Sequence, residues 1–230
     1  MKTIGMLGGM SWESTLSYYK IINEETKKRL GKLHSAKIAM VSVDFEPIEV
    51  LQHKGDWDRT AQILVKEAKN IQNAGADFLL ICTNTMHKVA PKIEEQIDIP
   101  ILHIANATGQ ALKNDDIKKV GLLGTAFTMQ QDFYKNRLIE NFDLDVLVPN
   151  EDDIKIVHKI IYEELCLGKI ENSSKQEYIR IIEKLVDDGC EAVILGCTEI
   201  GLLVEQKDAS VPLYDTALIH AQAAVEMANN

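Results

Sequence analysis

The chain has 230 residues, 46% of them hydrophobic and 26% charged, with a formal net charge of −10. That length holds one large α/β domain or two small lobes with a substantial core. The acidic balance argues against nucleic acid as a partner, because phosphate binding rests on clustered Lys and Arg. No run approaches the roughly 18–20 apolar residues that span a bilayer, so no membrane partner is expected either.

The opening Met1-Lys2-Thr3-Ile4-Gly5 runs straight into a strand without a signal-peptide layout, and a cytoplasmic location is expected. Short β-branched apolar runs at 3–7, 37–43, 77–81, 101–104, 119–123, 145–148, 192–195 and 211–213 read as strands. Between them, 13–30, 58–73 and 175–188 carry apolar residues at three- and four-residue spacing and read as helices, with a final helix over 215–228. This rhythm predicts an α/β fold of parallel sheets covered by helices.

The most informative pattern is an internal repeat. Ile4-Gly5-Met6-Leu7-Gly8-Gly9 echoes Val120-Gly121-Leu122-Leu123-Gly124-Thr125 at an offset of 116 residues. The run from Ala74 to Thr83 echoes the run from Asp188 to Cys197 at an offset of 114. Two segments in the same order at nearly one offset predict two related lobes, 1–100 plus 212–230 and 101–211. Ligands of open α/β sheets sit beyond the carboxyl ends of the strands, so the active site is expected in a pseudo-symmetric cleft between the lobes.

Both repeats put a polar cluster at such a strand end. The first is Thr83-Asn84-Thr85, and the second is Cys197-Thr198-Glu199. Main-chain N–H groups at a helix start suit a carboxylate and lower the pKa of a nearby thiol, which would make Cys197 a base. The alternative reading makes Thr83 and Thr198 ordinary helix caps. Because the repeat aligns Thr83 with Cys197, the pair can approach one carbon from opposite faces, as inversion of a stereocentre by proton removal and return requires.

Other residues read more plainly. With no CxxC pair and no zinc-spaced Cys/His cluster, Cys82, Cys166 and Cys190 are expected to be buried, inert thiols, and no metal site is expected. Gly5, Gly8 and Gly9 lack the G-x-G-x-x-G spacing, which excludes a dinucleotide site. Trp12 and Trp57 read as packing anchors. His87 follows the Asn84-Thr85 pair and reads as either a structural or a substrate-touching side chain.

The run from Ile4 to Thr15 resembles the N-terminal signature of the aspartate/glutamate racemase family. So do Ser42-Val43-Asp44-Phe45, Asn84-Thr85, Leu122-Leu123-Gly124-Thr125 with Thr128, and Gly196-Cys197-Thr198-Glu199. Cys82-Thr83-Asn84-Thr85-Met86-His87-Lys88 and Glu163-Glu164-Leu165-Cys166-Leu167-Gly168 resemble its bacterial broad-specificity or L-aspartate/L-glutamate-directed branch.

The resemblance implies a cofactor-independent racemase, without pyridoxal phosphate or metal, acting on aspartate, glutamate or other L-amino acids as a homodimer. Cys197 would remove the α-proton of the L-isomer and Thr83 would return one to the other face. Amides around Asn84, Thr85, Thr198 and Glu199 would hold the carboxylate, and Met10, Gln52 and Thr125 would line the pocket. The family typically has a cysteine where this chain has Thr83. Cys82 lies one residue earlier, and strand alternation turns it to the opposite face. An alcohol is a far weaker acid than a thiol, so L-to-D initial rates are expected to exceed D-to-L. A hydantoin racemase, a maleate isomerase-like enzyme and a non-catalytic amino-acid sensor stay open as alternatives. No arginine is placed for a substrate side-chain carboxylate, leaving His53 and Lys54 as weak choices.

Overall fold

The computed structural model describes all 230 residues. They form two units, Met1–Ile104 with His220–Asn230, and Ala105–Ile219.

In the first unit, strand β1 (Ile4–Gly8) is buried along its whole length because it lies between two parallel neighbours. Ser11 caps helix α1 (Trp12–Leu30), its hydroxyl accepting from Ser14 N at 3.2 Å. Glu13 in the first turn and Lys27, Lys28 and Arg29 in the last suit the helix dipole. Strand β2 (Ile38–Ser42) pairs with β1 and leads to α2 (Phe45–His53) and α3 (Trp57–Asn73). On α3, Thr60, Ala61, Leu64, Ala68 and Ile71 form the buried stripe, at the spacing of a helix lying on a sheet. Strand β3 (Phe78–Ile81) completes the order β2-β1-β3, and a 3-10 turn, Thr85–Val89, runs into the short α4 (Ala90–Glu94). Leu7, Ile48, Leu64, Ile71, Leu79, Ile81 and Met86 form the core.

Helix α5 (Ile104–Asn114) carries the chain onward, and strand β4 (Lys119–Gly124) opens the second sheet. There follow α6 (Ala126–Gln130), α7 (Asp132–Phe142), strand β5 (Asp145–Leu147), α8 (Glu151–Glu163) and α9 (Asn172–Asp187). Strand β6 (Ala192–Gly196), the four-residue α10 (Ile200–Leu203) and strand β7 (Leu213–Asp215) come next. The closing α11 (Thr216–Asn229) begins in the second unit and ends in the first. The sheet order is β5-β4-β6-β7, parallel throughout.

Hydrogen-bond register reproduces the sequence repeat. Leu7 pairs with Ile81 across β1 and β3, and Leu123 pairs with Leu195 across β4 and β6. Those partners are the same residues that the two offsets align.

Two expected strands differ. Segment 101–104 makes one isolated bridge, Ile101 to Leu79, before the chain turns into α5 at Ile104. The last strand runs Leu213–Asp215 rather than 211–213, since Pro212 has no N–H and offers only its carbonyl, to Val193 N at 3.0 Å. Because β7 pairs with β6, residues 212–219 go with the second unit, and the units part at 104/105 and 219/220 instead of 100/101 and 211/212. No helix is long and apolar enough to cross a membrane.

Close backbone approach fixes the ends of β4 and β6. A Cβ at Gly124 would lie 2.8 Å from the Gly196 carbonyl oxygen, and one at Gly196 would lie 2.7 Å from that of Leu123. Neither oxygen can retreat without breaking the sheet. Gly196→Ala is therefore expected to cost about 1–3 kcal/mol, read as a lower urea midpoint at constant m-value. An unchanged midpoint would show that the strands separate freely there.

Candidate functional site

The carboxyl ends of β1 and β3 are tied together by short side chains. Cys82 N donates to the Leu7 carbonyl at 2.9 Å, and the Ser14 hydroxyl donates to the Cys82 carbonyl at 3.0 Å. Gly9 N donates to the Thr15 hydroxyl at 2.7 Å, and that hydroxyl donates to the Ser11 carbonyl at 2.9 Å. Gly9 has φ +93°, and a side chain there would run into the main chain of Val43.

Thr83 emerges from this end partly exposed, its N–H donating to the Ile81 carbonyl at 2.8 Å and its hydroxyl making no hydrogen bond. Cys82 before it is buried, and burial pushes its thiol far above the ordinary range. The two side chains thus differ in environment, although both lie in the bend past the end of β3 at Ile81, where strand alternation no longer applies. Asn84 and Thr85 are buried beside Thr83 at the start of the 3-10 turn. Met10 packs in one cluster with Ile48 and Met86, and Gln52 is buried one helical turn beyond Ile48 on α2. His53 and Lys54 lie exposed at the end of that helix, with His53 turned to Glu49 at 2.9 Å.

In the second unit, Thr125 follows β4 and caps α6, its hydroxyl accepting from Thr128 N at 3.3 Å. Cys197 and Thr198 follow β6, both partly exposed, and Glu199 beside them is buried. The Cys197 thiol donates to Glu199 Oε2 at 3.0 Å, and the Thr198 hydroxyl donates to the same oxygen at 2.7 Å. Cys190 is buried as expected, whereas Cys166 is only partly so, on the turn that follows α8.

Each unit thus gathers its own set of the expected residues at a strand end. Met10, Gln52, Thr83, Asn84 and Thr85 belong to the first unit, and Thr125, Cys197, Thr198 and Glu199 to the second. The part played by Ser11, Ser14 and Thr15 escaped the sequence reading. Its trace was Ser11 three residues before Ser14, a spacing that permits the capping bond seen here.

Residues 7–224 match the model of the Asp/Glu/Hydantoin racemase family. The chain belongs to that family. It is 52% identical to a Yersinia pestis protein provisionally assigned as an Asp/Glu racemase, over the full length of both chains, with a TM-score of 0.94. It is 35% identical to PH1733, an aspartate racemase homologue from Pyrococcus horikoshii OT3, again over both full lengths, with a TM-score of 0.87. It is also 20% identical over 96% of each chain to the broad specificity amino-acid racemase RacX of Bacillus subtilis. The protein is an isomerase of the racemase type, and independence from pyridoxal phosphate fits this family.

For a racemase, the electrostatics around Cys197 run against the expected direction. Burial is the larger cause and the Glu199 charge the next, and both push the thiol well above its ordinary value. A helix end contributes roughly 0.3–1 kcal/mol at a surface, and α10 has only four residues. Desolvating an unpaired anion costs several kcal/mol. Burial wins, and the thiol keeps its proton in a hydrogen bond to Glu199.

The sign of the Glu199 effect can be measured. Alkylation of Cys197 by iodoacetamide, followed on its peptide by mass spectrometry, should accelerate with pH to a midpoint above the ordinary thiol value of about 8.5. Removing the negative charge by Glu199→Gln should move that midpoint down. If it stays in place, the carboxylate is not a cause of the raised thiol.

Proposed function

We propose that the protein interconverts L- and D-forms of aspartate, glutamate or a wider set of amino acids by two-base proton transfer, with Cys197 and Thr83 serving opposite faces of the α-carbon. The observation that carries this reading is register. Thr83 and Cys197 occupy equivalent positions, two residues beyond paired Ile81 and Leu195, in two sheets that share the order of three strands, β2-β1-β3 and β5-β4-β6. The likeness to RacX, named for broad specificity, and to an aspartate racemase homologue supports the substrate class.

In this mechanism Glu199 takes the Cys197 proton across the 3.0 Å contact, and the thiolate removes the α-proton of the L-isomer. Amides of Asn84, Thr85, Thr198 and Glu199 bind the carboxylate and stabilise charge as it spreads from the α-carbon. Thr83 relays a solvent proton to the other face, its hydroxyl giving one proton as it takes another from water, while Met10, Gln52 and Thr125 shape the pocket. Neither pyridoxal phosphate nor metal is required. Thr83 is a poor base, so turnover at saturation favours the L-to-D direction. The family resemblance also underlies the expectation of a homodimer.

The test is incubation of the purified protein in deuterated water with L-aspartate, L-glutamate, other L-amino acids and a 5-substituted hydantoin. Deuterium should enter the α-position of the amino acids, and Cys197→Ala should lose at least about a hundredfold of that exchange, the lower end of a general acid–base contribution. Thr83→Cys should raise the turnover number with D-substrate. A variant that still turns over only the L-isomer would remove the case for Thr83 as the limiting base. Tight binding without exchange would leave an amino-acid sensor, and exchange confined to the hydantoin would reassign the substrate.

A further inference from the structure

We infer that His87 is a positioning residue for Thr83, one imidazole spanning the Thr83 carbonyl and the Ile104 amide. The inference rests on the reading of Thr83 as the second proton-transfer group. The His87 side chain is buried, and each of its two nitrogens meets a main-chain partner. Nδ1 lies 2.8 Å from the Thr83 carbonyl oxygen. That oxygen can only accept, so Nδ1 carries the proton. Nε2 accepts from Ile104 N at 3.2 Å and therefore carries no proton. These two bonds describe a neutral ring with its proton on Nδ1.

Both main-chain polar groups of Thr83 are then fixed, its N–H by Ile81 and its carbonyl by His87. Its hydroxyl has no hydrogen bond of its own, and a β-branched side chain has few rotamers to choose among. The direction of the hydroxyl is thus inherited from the main chain. Loss of the carbonyl bond would turn the group that must deliver a proton, without touching Cys197.

The far side of the clamp is anchored as well. Ile104 is the last residue of the first unit before the chain leaves it, and His220 is the first residue on its return. His220 Nε2 donates to the Leu102 carbonyl at 2.6 Å, and its Nδ1 accepts from the Tyr18 hydroxyl at 2.8 Å. The rings of His103 and His220 stand 4.4 Å and 5.9 Å from that of His87, centre to centre. Burial pushes His220 down to about 4, so that ring stays uncharged near neutral pH.

Two substitutions divide the clamp. An amide donor in His87→Asn can reach the Thr83 carbonyl but not Ile104, whereas the longer His87→Gln can accept from Ile104 and leave the Thr83 carbonyl free. In deuterated water with L-aspartate, exchange into recovered L-isomer reports the Cys197 step alone, and appearance of D-isomer reports Thr83. His87→Gln should lower D-isomer formation roughly tenfold relative to L-exchange, the rate equivalent of one net hydrogen bond. His87→Asn should keep that ratio within about twofold of the parent. A purely structural histidine would lower both steps together in both variants, and that result, or no change in the ratio, overturns the inference.

The carbonyl carbon shift of Thr83 gives a readout independent of activity. It should move in His87→Gln and hold in His87→Asn. If the parent shows no exchange at all, the racemase reading fails by itself and this shift alone decides the role of His87. Imidazole nitrogen spectra of the unaltered protein cover the case of variants that do not fold. A His87 ring protonated on Nε2 at neutral pH excludes the clamp.

Discussion

Parallel pairing of β1 with β3, and of β4 with β6, is the constraint on which the rest of each unit depends. All strands of a parallel sheet end on the same edge, and the helices that connect them must start there. Polar residues placed one or two positions past a strand are consequently gathered at one edge whatever their separation in sequence. Ser14 reaches Cys82 across 68 residues for this reason. The register also selects which residue arrives. Leu7 opposite Ile81 and Leu123 opposite Leu195 leave Thr83 and Cys197 as equivalent positions, and a slip of one residue would present Cys82 in place of Thr83.

Such an edge is a place where charge is costly to form, and Cys197 shows how the competing effects rank. The start of a helix favours an anion, but the helix that follows Cys197 has one turn, and the sulfur packs against the apolar core of its unit. Tyr178, fully buried in that core, is held far from ionisation by burial. A thiol in this setting serves as a base only when a partner removes its proton at the moment of reaction. Glu199 is the carboxylate in contact with it.

Short apolar runs and the helical pattern made the strand cores and long helices legible, because buried parallel strands are uniformly apolar and α3 and α9 have a regular buried stripe. The repeat also located the two strand ends and their polar clusters. Segment 101–104 misled because an apolar β-branched run has the composition of a strand whether or not a neighbour has room for more than one bridge. The depressed thiol expected at Cys197 misled for a related reason. The sequence showed a helix start but neither the length of that helix nor the burial of the sulfur. His87 was ambiguous because its meaning lies in two main-chain partners, Thr83 and Ile104, that spacing alone does not reveal.

An unlike pair such as Thr83 and Cys197 operates within a thermodynamic limit. Enantiomers in water have equal free energy, so kcat/KM must be the same in both directions for any racemase, whatever side chains it uses. The weak acidity of an alcohol cannot favour L-to-D conversion at low substrate concentration, where initial rates follow kcat/KM. It can act only on the bound complexes. A small kcat for the D-isomer must then come with a proportionally small KM, so that the D-isomer is the enantiomer that saturates the enzyme at the lower concentration. The expectation of one-sided initial rates therefore narrows to one-sided turnover at saturation. On this reading the protein passes from L to D quickly when substrate is abundant and slows as its own product accumulates. That behaviour follows from replacing one sulfur by one oxygen at an otherwise repeated position.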